Sequence, residues 1–160
     1  MFLASILPKW PTRSAAAKPL AARGRAHIEA GRPRFTASRE DGSRLAAAFR
    51  TAAETGDTQT LQRLLAEDAV LYTDGGGKRL AVLNPIYGAD KILRFLAGIA
   101  RKNPALPTIQ MRAATINGLA GFVLREQDGS IDTMALEHRD GRIVAIYITR
   151  NPDKLRHVRF

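Results

Sequence analysis

The sequence predicts an α+β fold in which a strongly curved antiparallel sheet wraps around three helices. Two observations carry that prediction. Apolar residues recur at helical spacing in three segments of the first two thirds of the chain. The last third reads as four β-prone runs separated by Asn117-Gly118, Asp128-Gly129 and Asp140-Gly141, the dipeptides that tight hairpins favour. A sheet curved around the helices buries both apolar sets at once.

The elements follow in order. Ser38 with Asp41 three residues later resembles a capping arrangement, and Leu45, Ala48, Phe49 and Ala52 then recur on one face, which predicts a helix over 39–54 ended by Gly56. A shorter helix takes Leu61, Leu64 and Leu65 and ends near Glu67. Val70 to Thr73 is β-prone and stops at Asp74-Gly75-Gly76-Gly77, after which Lys78 to Leu83 is expected to return as the second strand of a hairpin. Gly88-Ala89-Asp90 opens a third helix carrying Ile92, Leu93, Phe95, Leu96 and Ile99, and it closes before Pro104. Strands are expected over about 108–116, 119–125, 130–138 and 142–150, and Pro152 bars continuation of the last one. Nothing in this order suggests a parallel sheet or a repeat.

Composition sets limits on function. A chain of 160 residues has room for one ordinary domain and a tail. With no cysteine there is no disulfide, no thiolate nucleophile and no zinc–thiolate site, which fits a cytoplasmic location. No apolar run approaches the roughly 20 residues of a membrane span. The formal net charge of +10 would suggest nucleic acid. Its distribution argues otherwise: residues 1–39 hold eight Lys and Arg with Glu29 as the one acid, so seven of the ten excess charges lie there. Pro8, Pro11 and Pro19 deny residues 1–19 a continuous helix, so they read as a disordered or adventitious leader. Its Arg-rich, Ala-rich start mimics an organellar transit peptide, but composition alone is weak evidence. Leu20 to Glu29 is helix-prone, and Gly31-Arg32-Pro33-Arg34 reads as a linker.

Two segments carry a resemblance: Asp74-Gly75-Gly76-Gly77-Lys78 and Tyr147-Ile148-Thr149-Arg150-Asn151-Pro152-Asp153-Lys154-Leu155. With the order of elements, they resemble the SnoaL-like (nuclear-transport-factor-2-like) C-terminal extension found on a group of bacterial extracytoplasmic-function sigma factors. Leu20 to Ile28 is similar to the end of the region 4 recognition helix of those factors, and Gly31 to Phe35 to the linker after it. The resemblance divides the chain into a leader (1–19), a region 4 remnant with its linker (20–36) and a SnoaL-like domain (37–160). Sigma region 2 and most of region 4 have no counterpart. A recognition helix needs the preceding helix to set its angle on DNA, so promoter recognition by this chain alone is not expected.

The resemblance implies a truncated or stand-alone regulatory domain that acts by protein contact on sigma regions or RNA polymerase. It implies contact roles for Asp74, Gly75, Gly76, Gly77 and Lys78, and a controlling role for Asn151, Pro152, Asp153, Lys154 and Leu155. Their simpler readings are a glycine turn and a proline-terminated strand with Asp153 capping a final turn. The fold also allows a homodimer.

Chemical alternatives are thin. Asp74 to Lys78 fails as a phosphate loop, because Tyr72 stands where the first glycine belongs and Arg79 where the final hydroxyl belongs. His27, His138 and His157 lack ligand spacing, so no metal is expected, nor any other cofactor. The SnoaL-like fold also hosts ketosteroid isomerases and polyketide cyclases, which need a carboxylate base and a proton donor converging in an apolar pocket. Tyr72, Asp132, His138 and Tyr147 are the candidate pocket residues. Asp132 and His138 share strand parity, whereas Glu137 faces the other way. Against them, Asp132 sits near a turn and would be solvated, His138 would be an exposed strand end, and Tyr147 would be core. No set of residues amounts to an active site, so no catalytic residue is assigned. A small-molecule-binding protein or isomerase/cyclase-type enzyme is the competing reading, and non-specific nucleic-acid binding through the basic leader is a third.

Overall fold

The computed structural model describes residues 35–102 and 109–160. The expectations for the leader, for the Leu20–Glu29 helix and for the linker lie outside the described residues. A contiguous folded unit runs from Arg39 to Phe160.

Helix α1 (Phe35–Thr55) starts four residues before the expected point, so Ser38 lies inside the helix rather than at its cap. From Arg39 onward its buried positions are Gly42, Ala46, Phe49 and Ala52. Gly56 ends it at φ 72°, a conformation glycine adopts without cost. Asp57 then caps α2 (Thr58–Leu64), its carboxylate accepting from the Thr60 amide at 3.0 Å. The chain turns straight from α2 into β1 (Leu65–Asp74), so this helix is shorter than the Leu65 and Glu67 positions suggested.

The expected hairpin over 70–83 does not form. The amides of Lys78 and Arg79 both donate to the Gly75 carbonyl at 3.1 Å, closing a wide glycine turn instead of a two-residue one. The chain leaves that turn out of register with β1. Thr73 takes the place of the missing ladder: its hydroxyl donates to the Val82 carbonyl at 3.0 Å and accepts from the Val82 amide at 2.8 Å. Pairing resumes only at β2 (Ile86–Tyr87), antiparallel to β1. Gly88, at φ 96°, leads into α3 (Ala89–Lys102).

The last four strands match expectation: β3 (Gln110–Ile116), β4 (Leu119–Arg125), β5 (Ile131–Arg139) and β6 (Arg142–Thr149). Asn117 and Asp140, at φ 51° and 52°, each precede a positive-φ glycine, the pair of left-handed residues that a tight hairpin turn requires. The sheet order is β2-β1-β6-β5-β4-β3. One pairing departs from an all-antiparallel sheet: β6 lies parallel to β1, so the sheet is mixed. The crossover through α3 and the odd number of turns after it bring β6 back along β1 in the same direction.

Alternation along the strands sorts side chains between two faces. Leu71, Ile146, Leu136, Phe122 and Leu124 face the helices and join Phe49, Leu61 and Ile92 in the core. Gly42 brings α1 close to this face, since a Cβ there would stand 2.9 Å from the His138 ring. Tyr72, Asp74, Tyr147, Glu137, Thr133 and Val123 project from the opposite face.

Leu71 is fully buried and Val70, its neighbour on the opposite face, is half-buried. Leu71→Ala is expected to cost about 2–5 kcal/mol by urea denaturation, and Val70→Ala about half as much or less.

Candidate functional site

The two segments that carry the resemblance meet in space through pairs 75 and 80 residues apart in sequence. Asp74, at the end of β1, is buried, and its carboxylate accepts from the Gly76 amide at 2.9 Å and from the Lys154 ammonium at 2.6 Å. Its carbonyl accepts from the Arg150 amide at 2.7 Å, prolonging the β1–β6 pairing by one bond. Lys78 crosses to Asp153 at 2.7 Å, where Arg156 also donates at 2.8 Å. A Cβ on Gly76 would overlap the Asn151 carboxamide, so only glycine lets the loop lie against the tail here. Asn151 shapes the tail turn by accepting from the Asp153 amide at 3.1 Å. The expected capping role thus belongs to Asn151, while Asp153 is left to pair with Lys78. Pro152 follows the strand end and Leu155 is buried beyond it.

From this clasp the tail crosses the face away from the helices. Asp74, Thr149, Thr133, Val123 and Arg112 form one row across five strands. Lys154 sits on Asp74 at one end of the row, and at the other Arg112 donates to the Arg159 carbonyl at 2.6 Å. The Phe160 ring lies 5.9 Å from the Arg125 guanidinium.

A second cluster holds the far side of the glycine loop, and periodicity did not point to it. Arg79 donates to Asp132 and pairs with Glu126 at 3.1 Å. Arg150 reaches the same two carboxylates at 3.1 and 2.7 Å and donates to the Leu80 carbonyl at 2.9 Å. Asp132 is therefore buried at the helix-side end of the sheet, not solvated near its turn. Burial and the hydrogen bond it shares with Glu126 push its pKa up to about 6, against the pull of Arg150 and Arg79. For Glu126, burial opposes the charge, but the bond to Asp132 and the two guanidiniums outweigh it and hold its pKa below the ordinary value. Anchored on both sides, the loop carries Leu80 and Leu83 outward, 87% and 92% exposed. The signal for this network was an Arg on either side of two acids near one turn, which parity alone does not bring together.

The four candidate pocket residues do not converge. Tyr72 and Tyr147 stack with ring centroids 5.2 Å apart on the face away from the helices, and Tyr147 donates to Glu137 at 2.7 Å. Burial, reinforced by the Glu137 charge, raises the Tyr147 pKa; burial chiefly, with Tyr87 and Glu137, raises that of Tyr72. Asp132 lies across the sheet from both tyrosines. His138 shares the helix side with Asp132 but lies six residues along β5, about 20 Å away. It is half-buried against α1 rather than an exposed strand end. Two surface depressions, lined by Arg39, Glu40, Ser43 and Arg44 and by Gln59, Gln62, Arg63 and Arg142, include none of the four. Among the described residues no acidic or histidine group is arranged to hold a metal ion, and no helix is long and apolar enough to cross a membrane.

Three helices on a curved, open, mixed sheet are the SnoaL-like, or cystatin-like, fold. A putative ketosteroid isomerase from Kribbella flavida has it, at TM-score 0.51 and 19% identity, over 70% of this chain and 78% of its own. So does a protein of cystatin-like fold from Xanthomonas campestris, at TM-score 0.52 and 17% identity, over 67% of this chain and 88% of its own. No family model matches the chain. In sequence it is homologous to the ECF RNA polymerase sigma factor SigJ of Mycobacterium tuberculosis, 29% identical over 154 residues, 89% of this chain and 48% of SigJ. The SigJ crystal structure superimposes at TM-score 0.66 and 27% identity, over 88% of this chain and 50% of that one. The chain thus spans about half the length of SigJ.

Two outcomes test this geometry. Gly76→Ala combines a left-handed backbone with overlap on Asn151 and is expected to cost on the order of 2–4 kcal/mol in denaturation. Asp132 titrates near 6 when folded and near 3.9 when unfolded, so the folded state holds the extra proton between those values and its contribution to stability falls as pH rises from about 4 to about 6. Asp132→Asn removes that slope. The stability advantage of the unmodified protein over the variant is expected to shrink by about 2 kcal/mol between pH 4 and pH 7.

Proposed function

We propose that the chain is a regulatory SnoaL-like domain of the sigma-factor type, acting by protein contact on the sigma regions of a SigJ-like factor or on RNA polymerase carrying one. The observation that carries this reading is the reach of the SigJ homology. It takes in 89% of the chain, more than the unit from Arg39 to Phe160 can supply by itself. The match therefore extends into the segment whose residues resemble the end of region 4 and its linker.

The site suggests how such a contact is made. Asp74, Gly75, Gly76 and Gly77 with Asn151, Pro152, Lys154 and Leu155 close the clasp and hold the loop in one position. Lys78 and Asp153, paired with each other across the clasp, and the exposed Leu80 and Leu83 then form the contact itself. Apolar side chains held outward on an anchored loop lose little conformational freedom on binding, which favours affinity from a small patch. A cytoplasmic location accompanies this reading, because polymerase is there.

The test is binding of the purified chain to a SigJ fragment comprising the half that this chain does not match, measured by biolayer interferometry. Micromolar affinity is expected, with Leu80→Asp plus Leu83→Asp weakening it by about tenfold or more and leaving the melting temperature unchanged. Absence of binding at high micromolar concentration, or equal binding by the double variant, would overturn the contact assigned here.

A further inference from the structure

The outer face of α3 carries a charge pattern that neither the clasp nor the loop uses. At about 100° per residue, Lys91, Arg94, Gly98, Arg101 and Lys102 fall within an arc of about 100°, opposite the side that buries Ile92. All four cations are exposed, and none has an ion-pair or hydrogen-bond partner among the described residues. Asp90 is the helix's single acid and stands one turn before Arg94. It faces α2 instead, where the Gln62 amide donates to it at 3.4 Å. Elsewhere, exposed arginines such as Arg44, Arg50 and Arg156 have carboxylates beside them.

Ordinary helix electrostatics explains only half of this. Cations in the last turn complement the helix dipole, which accounts for Arg101 and Lys102. Lys91 and Arg94 lie in the first half, where the dipole disfavours them. Gly98 is also unexplained by packing, because a Cβ there would meet nothing within 4 Å. A glycine in a helix interior is destabilising relative to alanine, and here no contact requires it. What it does leave is a flat gap between Arg94 and Arg101 where another backbone can approach.

From these observations we infer that the outer face of α3 is a contact surface for the phosphate backbone of a nucleic acid. Lys91 to Lys102 spans about 16 Å, the axial length of roughly five base pairs, so the stripe can neutralise three or four phosphates of one strand. A protein partner fits less well, since protein interfaces have an apolar centre and Gly98 alone lies within the arc between these cations, the exposed Ile99 standing about 60° outside it. The surface gives no base readout, so the contact is independent of sequence. It does not depend on the sigma-type reading.

The experiment uses the full chain, a fluorescein-labelled 20-base-pair duplex of arbitrary sequence, and anisotropy at several salt concentrations. One variant carries Lys91→Gln, Arg94→Gln and Arg101→Gln. A control variant carries Arg44→Gln, Arg50→Gln and Arg156→Gln, removing equal charge from cations that already have partners. The leader's charges are the same in all three proteins. The α3 variant is expected to bind about tenfold or more weakly at low salt and to lower the slope of log K against log salt by about 3, the control by clearly less. No binding by the unmodified chain, or equal losses in the two variants, would overturn the inference. Circular dichroism confirms that both variants keep the fold.

Discussion

A carboxylate withdrawn from water at the end of a sheet is costly unless charged partners come to it, and Asp132 sets that condition for this fold. It sits on β5 with Glu126 beyond the end of β4, and two arginines answer the pair from opposite directions. Arg150 arrives at the end of β6, which packing brings alongside in any case. Arg79 arrives from the glycine loop, which would otherwise have no reason to fold back across the strand ends. The loop between β1 and β2 is therefore placed by electrostatics as much as by backbone pairing. Its lost hairpin ladder is the counterpart of that placement.

Asp74 extends the same logic to the other face of the sheet. Lys154 satisfies it from the tail, and Lys78 returns the interaction to Asp153. The glycine loop is thus held on one side by the strand-end network and on the other by the tail. This explains why a segment rich in glycine has a defined position and why its two leucines are kept from the core. Homology to SigJ gives the arrangement a context, the chain matching about half the length of that protein.

Most of the architecture was legible where one local rule acted alone. The turns at Asn117-Gly118 and Asp140-Gly141 needed left-handed residues and had them, so the meander followed strand by strand. The amphipathic spacing of α3 was equally direct. Reading failed where long-range forces decide. Lys78 to Leu83 has strand-like composition, but the glycine turn and Arg79's pairing take it off the ladder. The parallel β1–β6 pair depends on the direction of a crossover, which no local window contains. At the candidate site, the quoted motifs picked out two segments that meet in the folded chain, yet their mutual contact was invisible because ion pairs between distant segments leave no periodic trace. Asp132 was misjudged for the same reason: proximity to a turn suggested water, and two distant arginines decided otherwise.

The interlocking of Gly76 with Asn151, and of Asp74 and Lys78 with Lys154 and Asp153, also has a meaning for heredity. Each half of the clasp is a short word in the gene, and neither is sufficient without the other. A drift that altered one word would be repaired most readily by a matching change far downstream, so the two should travel through descendants as a single inherited trait.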